Sequence, residues 1–183
     1  MRRSIRRRTR RTGIRRQTDW IPTVAPITTV QNVSPSNPAL IALVDEVDVL
    51  DKQDHLTVER IVGEFFAIPL ENGGNPVPVV WMAAGIIVSD LDNTGGVTSY
   101  NPTDPDDAEA AWLWRKSWLW GTTAGIAAPV HAFPITSLDV HVRRKMGQRE
   151  VLLLCITGFI VPGSSAINDL ELGLNIRTLV KLF

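Results

Sequence analysis

The C-terminal segment of the chain alternates between apolar and polar residues with a period of two. One parity is apolar, at Leu170, Leu172, Leu174, Ile176, Val180 and Leu182. The opposite parity is polar or charged, at Glu171, Asn175, Arg177 and Lys181. A helix would repeat its apolar positions about every 3.6 residues, whereas successive side chains of a strand point to opposite faces. The segment is therefore predicted to be a β-strand with one face in a core.

Two segments before it also predict strands, of different kinds. Residues 138–142 alternate like the C-terminal segment, whereas residues 150–161 are almost continuously apolar and are predicted to be buried on both faces. Gly147-Gln148, which lies between them, predicts a tight hairpin turn.

The first half of the chain predicts further strands, at residues 39–44, 56–68 and 77–88. Residues 104–111 differ, because Asp104 and Pro105 precede an Ala-Glu-Ala-Ala run and together predict one short helix in a loop. A strand reaching the next residues would place four indoles on one face, at Trp112, Trp114, Trp118 and Trp120.

Seven or eight strands with almost no helix indicate a sandwich, a jelly roll or a barrel. The connections are too short for helical crossovers, so the strands should pair antiparallel. We therefore predict an all-β fold, an antiparallel jelly-roll β-sandwich of about eight strands over residues 38–183. Residues 20–37, rich in Pro, Thr, Val, Asn and Ser, are predicted to be an extended linker or an edge strand.

Charge is segregated along the chain, although the formal total is zero. The first sixteen residues contain nine arginines and no acidic residue, at Arg2, Arg3, Arg6, Arg7, Arg8, Arg10, Arg11, Arg15 and Arg16. The rest of the chain holds ten basic residues against nineteen acidic ones, a net charge of −9. Residues 1–19 are therefore predicted to form a disordered basic arm that binds a polyanion, because they contain too few apolar residues to offset their ordering entropy.

The chemistry of the arm favours nucleic acid as that polyanion. Guanidinium groups grip phosphate oxygens two at a time and are weakly hydrated. A mitochondrial transit peptide would need an apolar face, but only Ile5 and Ile14 are apolar between Met1 and Trp20. A second use as a nuclear address stays open.

No catalytic or cofactor-binding pattern is found in the sequence. His55, His131 and His141 form no metal-ligand spacing with each other or with Cys155, and no P-loop or nucleophile elbow is present. We predict no enzymatic activity, no cofactor and no resident metal, and no stretch is apolar enough for a membrane helix. Calcium binding stays open at two acidic clusters, one at residues 45–54 and one at residues 104–109.

The four clustered tryptophans have two interpretations. Large amphipathic rings anchor subunit interfaces, and they also fill cores. We expect Trp112, Trp114, Trp118 and Trp120 to divide between core and subunit contact.

An arginine-rich arm, a Pro/Thr/Ser linker and an all-β domain resemble a small icosahedral virus capsid protein. In particular, the chain resembles the single-jelly-roll capsid proteins of Rep-encoding circular single-stranded DNA viruses, which are circovirus-like. Residues 138–154, LDVHVRRKMGQREVLLL, and residues 174–180, LNIRTLV, resemble late strands of such proteins. The arm departs from them because circovirus arms are often longer and contain aromatic residues.

The resemblance implies a protein that self-assembles, in about 60 copies or a multiple, into an icosahedral shell around nucleic acid. Single-stranded DNA is favoured and RNA stays open, since RNA-virus coat proteins share this plan. The expected location is the virion, with the host nucleus during assembly. The alternative is a cellular nucleic-acid-binding protein, such as a ribonucleoprotein component, with a basic extension. A third hypothesis is a β-sandwich enzyme or carbohydrate binder with a targeting arm.

Overall fold

A computed structural model describes residues 17–44, 55–69, 80–90, 102, 112–120, 135–147, 149–160 and 167–182. These residues form eight β-strands: β1 Gln17–Val33, β2 Ala39–Val44, β3 His55–Pro69, β4 Val80–Asp90, β5 Trp114–Trp120, β6 Thr136–Gly147, β7 Glu150–Ile160 and β8 Ile167–Leu182. No helix occurs in these ranges, and so none that is long and apolar enough to cross a membrane. The helix predicted over residues 104–111 lies outside them.

The strands form two antiparallel four-stranded sheets, ordered β1-β8-β3-β6 and β2-β7-β4-β5. Among the described strands, only β4 and β5 are both consecutive in sequence and paired with each other. The other connections pass from one sheet to the other. This strand order is that of a jelly-roll sandwich. The prediction of an all-β antiparallel jelly roll is confirmed.

One apolar core fills the space between the two sheets. Along β8 the even-numbered residues from Leu170 to Val180 are buried, whereas Asn175 and Arg177 are exposed, so the period-two prediction is confirmed. Along β7, residues 151–158 are all buried, as their continuous apolar run predicts. Each buried side chain contributes roughly 1.5–3 kcal/mol by leaving water, which makes this layer the main source of stability.

The turn at Gly147 differs from the prediction of a hairpin. β6 pairs with β3, whereas β7 pairs with β2 and β4, so the chain crosses between sheets there. The backbone N–H of Gly147 donates a hydrogen bond of 2.6 Å to Oε2 of Glu150. Glu150 also pairs with Arg144, at 3.2 Å between Oε1 and Nη2. A side chain therefore stabilises this turn, in place of the ladder bonds that a hairpin would supply.

The first strand lies at the edge of its sheet and pairs with β8 along most of its length. It begins at Gln17, inside the range 1–19 that the sequence assigns to the arm, and the register shifts between Ala25 and Thr28. The Thr23 hydroxyl donates a hydrogen bond of 2.9 Å to the backbone oxygen of Leu43 in β2, which links the two sheets.

The backbone of β3 packs closely on β8 at Gly63. The φ of Gly63 is +143°, and a Cβ atom there would clash with the backbone oxygen of Asn175. An L-residue is disfavoured by both the dihedral angle and the backbone contact. We expect Gly63→Ala to lower the free energy of unfolding by about 2–4 kcal/mol, measured by urea denaturation.

Gly147→Ala is the matched control for this prediction. A Cβ atom at Gly147 would lie 3.7 Å from Oε2 of Glu150, an ordinary contact. This variant should stay within about 0.5 kcal/mol of the wild type. Equal effects of the two substitutions would contradict the close packing of β3 on β8.

Thr178 is a polar residue on the inner face of β8. It is fully buried, and its Oγ1 has no hydrogen-bond partner among the described residues. A buried hydroxyl without a partner costs about 1–3 kcal/mol. We expect Thr178→Val to raise the free energy of unfolding by about 1 kcal/mol, while Thr57→Val on the outer face changes it little. Destabilisation by Thr178→Val would show that the hydroxyl is hydrogen-bonded.

Candidate functional site

The nine arginines of the predicted arm lie outside the described residues. Their role in binding nucleic acid therefore stays a prediction. The structure does describe the strand that follows them. β1 starts at Gln17, one residue after Arg16, on the edge of the β1-β8-β3-β6 sheet. The arm is therefore attached to the body at this end of the sheet.

Three of the clustered tryptophans, Trp112, Trp114 and Trp118, are divided between the two faces of the β2-β7-β4-β5 sheet. Trp114 and Trp118 face the core and contact Phe65 of β3, with ring centroids 6.1 Å and 6.5 Å from its ring. Trp112 packs on the opposite face, against the Ile87, Val151, Leu153 and Cys155 cluster. Its ring lies over Gly85, where a Cβ atom would be 2.4 Å from Cζ3.

The prediction that all four indoles share a face is therefore wrong for Trp112. β5 begins at Trp114, and the chain bends at Leu113, so the strand alternation does not extend back to Trp112. The backbone of Trp120 pairs with Val80 at the other end of β5, and its side chain is outside the described set. A role of these residues in subunit contact stays a prediction.

The outward-facing side chains of the β1-β8-β3-β6 sheet form rows across the four strands. Numbered from the end nearest the arm, row one contains Thr18, Lys181, Thr57 and Lys145. Row two contains Trp20, Leu179, Arg60 and His141. Row three contains Pro22, Arg177, Val62 and Asp139. Row four contains Val24, Asn175, Glu64 and Ser137.

Charge on this outer face changes sign along the strands. Rows one to three hold four Lys or Arg side chains, at Lys181, Lys145, Arg60 and Arg177. The acidic residues among and beside them are Asp139 and Glu59, which form ion pairs with Arg60 and Lys181, and the exposed Asp19 of β1. Row four has Glu64 and no basic residue. The end nearest the arm is therefore the basic end of this face, although the body as a whole is acidic.

A bidentate ion pair on this face joins Arg60 to Asp139. Nε and Nη2 of Arg60 donate hydrogen bonds of 2.8 Å each to the two carboxylate oxygens. These bonds, aided by the charges of Arg60 and His141, hold the pKa of Asp139 below its usual value. His141 itself is exposed, with Nε2 3.9 Å from Oδ1 of Asp139, as the alternation of β6 predicts for a polar position.

The remaining candidates for chemistry do not assemble into a site within the described ranges. Burial raises the pKa of Cys155 to about 12, so its thiol stays protonated at neutral pH and is a poor nucleophile. No group of three or more His, Cys, Asp or Glu side chains in those ranges could hold a metal ion. His131 and both acidic clusters considered for calcium lie outside them.

A scan against protein-family models gave no match, and a search of curated proteins also gave none. A search of solved structures did find matches. The infectious bursal disease virus VP2 subviral particle matches at 13% identity with a TM-score of 0.39, over 91% of this chain and 33% of that chain. Turnip Yellow Mosaic Virus matches at 12% identity with a TM-score of 0.36, over 91% of this chain and 93% of that chain. Desmodium yellow mottle tymovirus matches at 8% identity with a TM-score of 0.36, over 92% of this chain and 90% of that chain.

The chain thus spans about a third of the length of the VP2 chain that it matches. The fold assignment comes from the strand order of the two sheets, because likenesses at these TM-scores are too weak to add to it.

The pair on the outer face gives a prediction for pH dependence. We expect Arg60→Gln to raise the pKa of Asp139 towards its ordinary value, measured by NMR titration of the Asp139 carboxyl carbon. A lowered folded-state pKa contributes stability above the unfolded-state value of about 3.9, and this contribution is lost as the pH falls through the folded-state pKa. Arg60→Gln should therefore reduce the loss of unfolding free energy at acidic pH. The reduction should be small because the pair is exposed.

The control for this titration is Arg143→Gln, an exposed arginine on the same strand. It should leave the pKa of Asp139 unchanged. If Asp139 titrates at the same pH with and without Arg60, the ion pair does not form in solution.

Proposed function

We propose that the chain is a viral capsid protein that self-assembles into an icosahedral shell and packages the genome through its N-terminal arginines. The observation that carries the proposal is the combination of a jelly-roll sandwich with nine arginines directly before its first strand. Neither part is specific alone, because many binding proteins have basic tails and jelly rolls serve several functions. Together they supply a wall and a means of holding a polyanion on one side of it.

The edge strands support self-association. Five large apolar side chains are exposed in the described part of the chain: Trp20, Val24, Leu40, Leu119 and Ile135. The first four lie on β1, β2 and β5, which are edge strands, and Ile135 directly precedes the edge strand β6. Exposed edges and apolar side chains in a monomer favour contact with other chains. Neighbouring copies along the sandwich edges would remove Leu40, Leu119 and Ile135 from water.

The arm supports packaging by electrostatics without sequence preference. In a shell of about 60 copies, nine charges each would bring roughly 540 positive charges to the genome, and the release of counterions would favour binding. The resemblance to circovirus-like proteins favours single-stranded DNA, and an RNA genome is the alternative. The proposed location is the virion, with passage through the host nucleus if the arm also serves as a nuclear address.

The test is to express the full chain and image it by negative-stain electron microscopy at moderate salt. We expect uniform closed particles that contain nuclease-protected nucleic acid, and digestion of the extract with DNase or RNase identifies its type. A monomer that is insensitive to salt would overturn the proposal. An open complex with nucleic acid and no closed particle would favour the alternative of a cellular nucleic-acid-binding protein.

A matched pair of arm variants tests the role of the arginines. Replacing all nine by Gln removes the charge, and we expect the fold to persist while protected nucleic acid falls at least tenfold. Replacing all nine by Lys keeps the charge and should retain most of the nucleic acid, since counterion release depends on charge. Equal packaging by the Gln variant and the wild type would show that the arm does not hold the genome.

A further inference from the structure

Trp20 is an exposed indole next to the arm. It lies on the edge strand β1, in row two of the outer face, and 47% of its surface is accessible. Trp112, Trp114 and Trp118 are all less exposed and pack against apolar clusters. An accessible indole offers an apolar face on which a planar group can stack.

A groove lies beside this indole, between β1 and β3. It is lined by Trp20, Pro22, Val62 and Arg177 and has a volume of about 530 Å³. This volume falls within the range of about 300–1,000 Å³ that is typical of small-ligand sites. The lining combines three apolar side chains with one cation, which suits a ligand that is both planar and anionic.

Arg177 is the cation of the groove, and it is exposed. It lies across from Pro22 and diagonal to Trp20, a separation of about 7–8 Å that long side chains span easily. In the described ranges Arg60 and Lys181 form ion pairs with acidic residues, whereas Arg177 forms none within 4.0 Å. Its guanidinium is therefore available to a phosphate group.

The covalent chain restricts how far the groove is from the arm. Trp20 is four positions after Arg16, so their Cα atoms are at most about 14 Å apart in any conformation. Rows one to three, which surround the groove, are also the basic part of the outer face. A nucleic acid held by the last arginines of the arm therefore meets a basic surface with an exposed indole.

We propose that this groove binds a nucleotide of the packaged nucleic acid, with its base stacked on Trp20 and its phosphate bound by Arg177. The inference rests on the proposed function and adds a contact on the folded body to that of the arm. Stacking on an indole tolerates any base, since every base has a π face. The groove therefore suits a single-stranded genome whose bases are accessible.

The test compares two single-stranded 15-mers that carry the same phosphates. One is oligothymidylate, and in the other every base is replaced by an abasic tetrahydrofuran. Binding of the full chain, freed of nucleic acid at high salt, is measured by fluorescence anisotropy. We expect the wild type to bind the base-bearing strand at least about fivefold more tightly. Trp20→Ala should remove most of this difference and leave the affinity for the abasic strand unchanged.

Three further variants sharpen the result. Trp20→Phe should keep part of the preference, because a smaller ring still stacks. Val24→Ala removes an exposed apolar side chain from the same face of β1 and should leave the preference for the base-bearing strand unchanged. Arg177→Gln should weaken binding of both strands and reduce the slope of log affinity against log salt by about one.

Photocrosslinking provides a measurement that does not depend on the stability of a variant. A 15-mer with 5-iodouracil should crosslink to Trp20 in the wild-type protein, with the site identified by mass spectrometry. Crosslinks confined to the arm, or no preference for the base-bearing strand, would overturn the proposal that the groove binds a nucleotide. Neither result would affect the test of the proposed function by the Gln and Lys variants of the arm. If Trp20→Ala abolishes particles but keeps the base preference, the groove contacts a second copy of the chain, and the inference is wrong.

Discussion

Apolar packing between the two sheets is the interaction on which every other feature depends. Phe65 of β3 shows how it works, because its ring crosses the core to contact Trp114 and Trp118 of β5 in the opposite sheet. β5 is an edge strand with a single hydrogen-bonded neighbour, so this contact fixes its position where backbone pairing is weakest. Burial of one parity of each strand leaves the other parity outside the core, and any function on the sheets has to be carried by those outward residues.

The outer faces of the two sheets differ in chemistry. On the β2-β7-β4-β5 sheet the outward residues Ile87, Leu153 and Cys155 are buried, with Trp112 packed against them. On the β1-β8-β3-β6 sheet the outward residues are largely charged or polar, and the Arg60–Asp139 pair lies there exposed. Charged ligands meet accessible partners on the second face, since charged groups are almost never buried without pairing.

Period-two alternation predicted the strands well because it depends on local geometry alone. It gave the buried positions of β8 and the exposure of His141, and a continuous apolar run gave the burial of β7. It could not show which strands are neighbours, because pairing in a jelly roll joins residues far apart in sequence. The turn at Gly147 was therefore mistaken for a hairpin, and the bend at Leu113 reversed the face of Trp112. The basic rows were missed for the same reason, since Lys145, Arg60 and Arg177 come together only through pairing.

The proposed function brings an acidic body into contact with a polyanion, and the placement of these charges is compatible with that contact. Residues after the arm carry a net charge of −9, which taken alone predicts repulsion. At physiological ionic strength, however, interactions between exposed charges are screened over about 8 Å. A phosphate at the Trp20 groove is therefore governed by the charges next to it. These are Arg177 and the basic side chains of rows one and two, opposed by Glu64 and by Asp139, which is paired with Arg60. Acidic residues farther away than the screening length contribute little to its binding, so net charge is a poor guide to this surface.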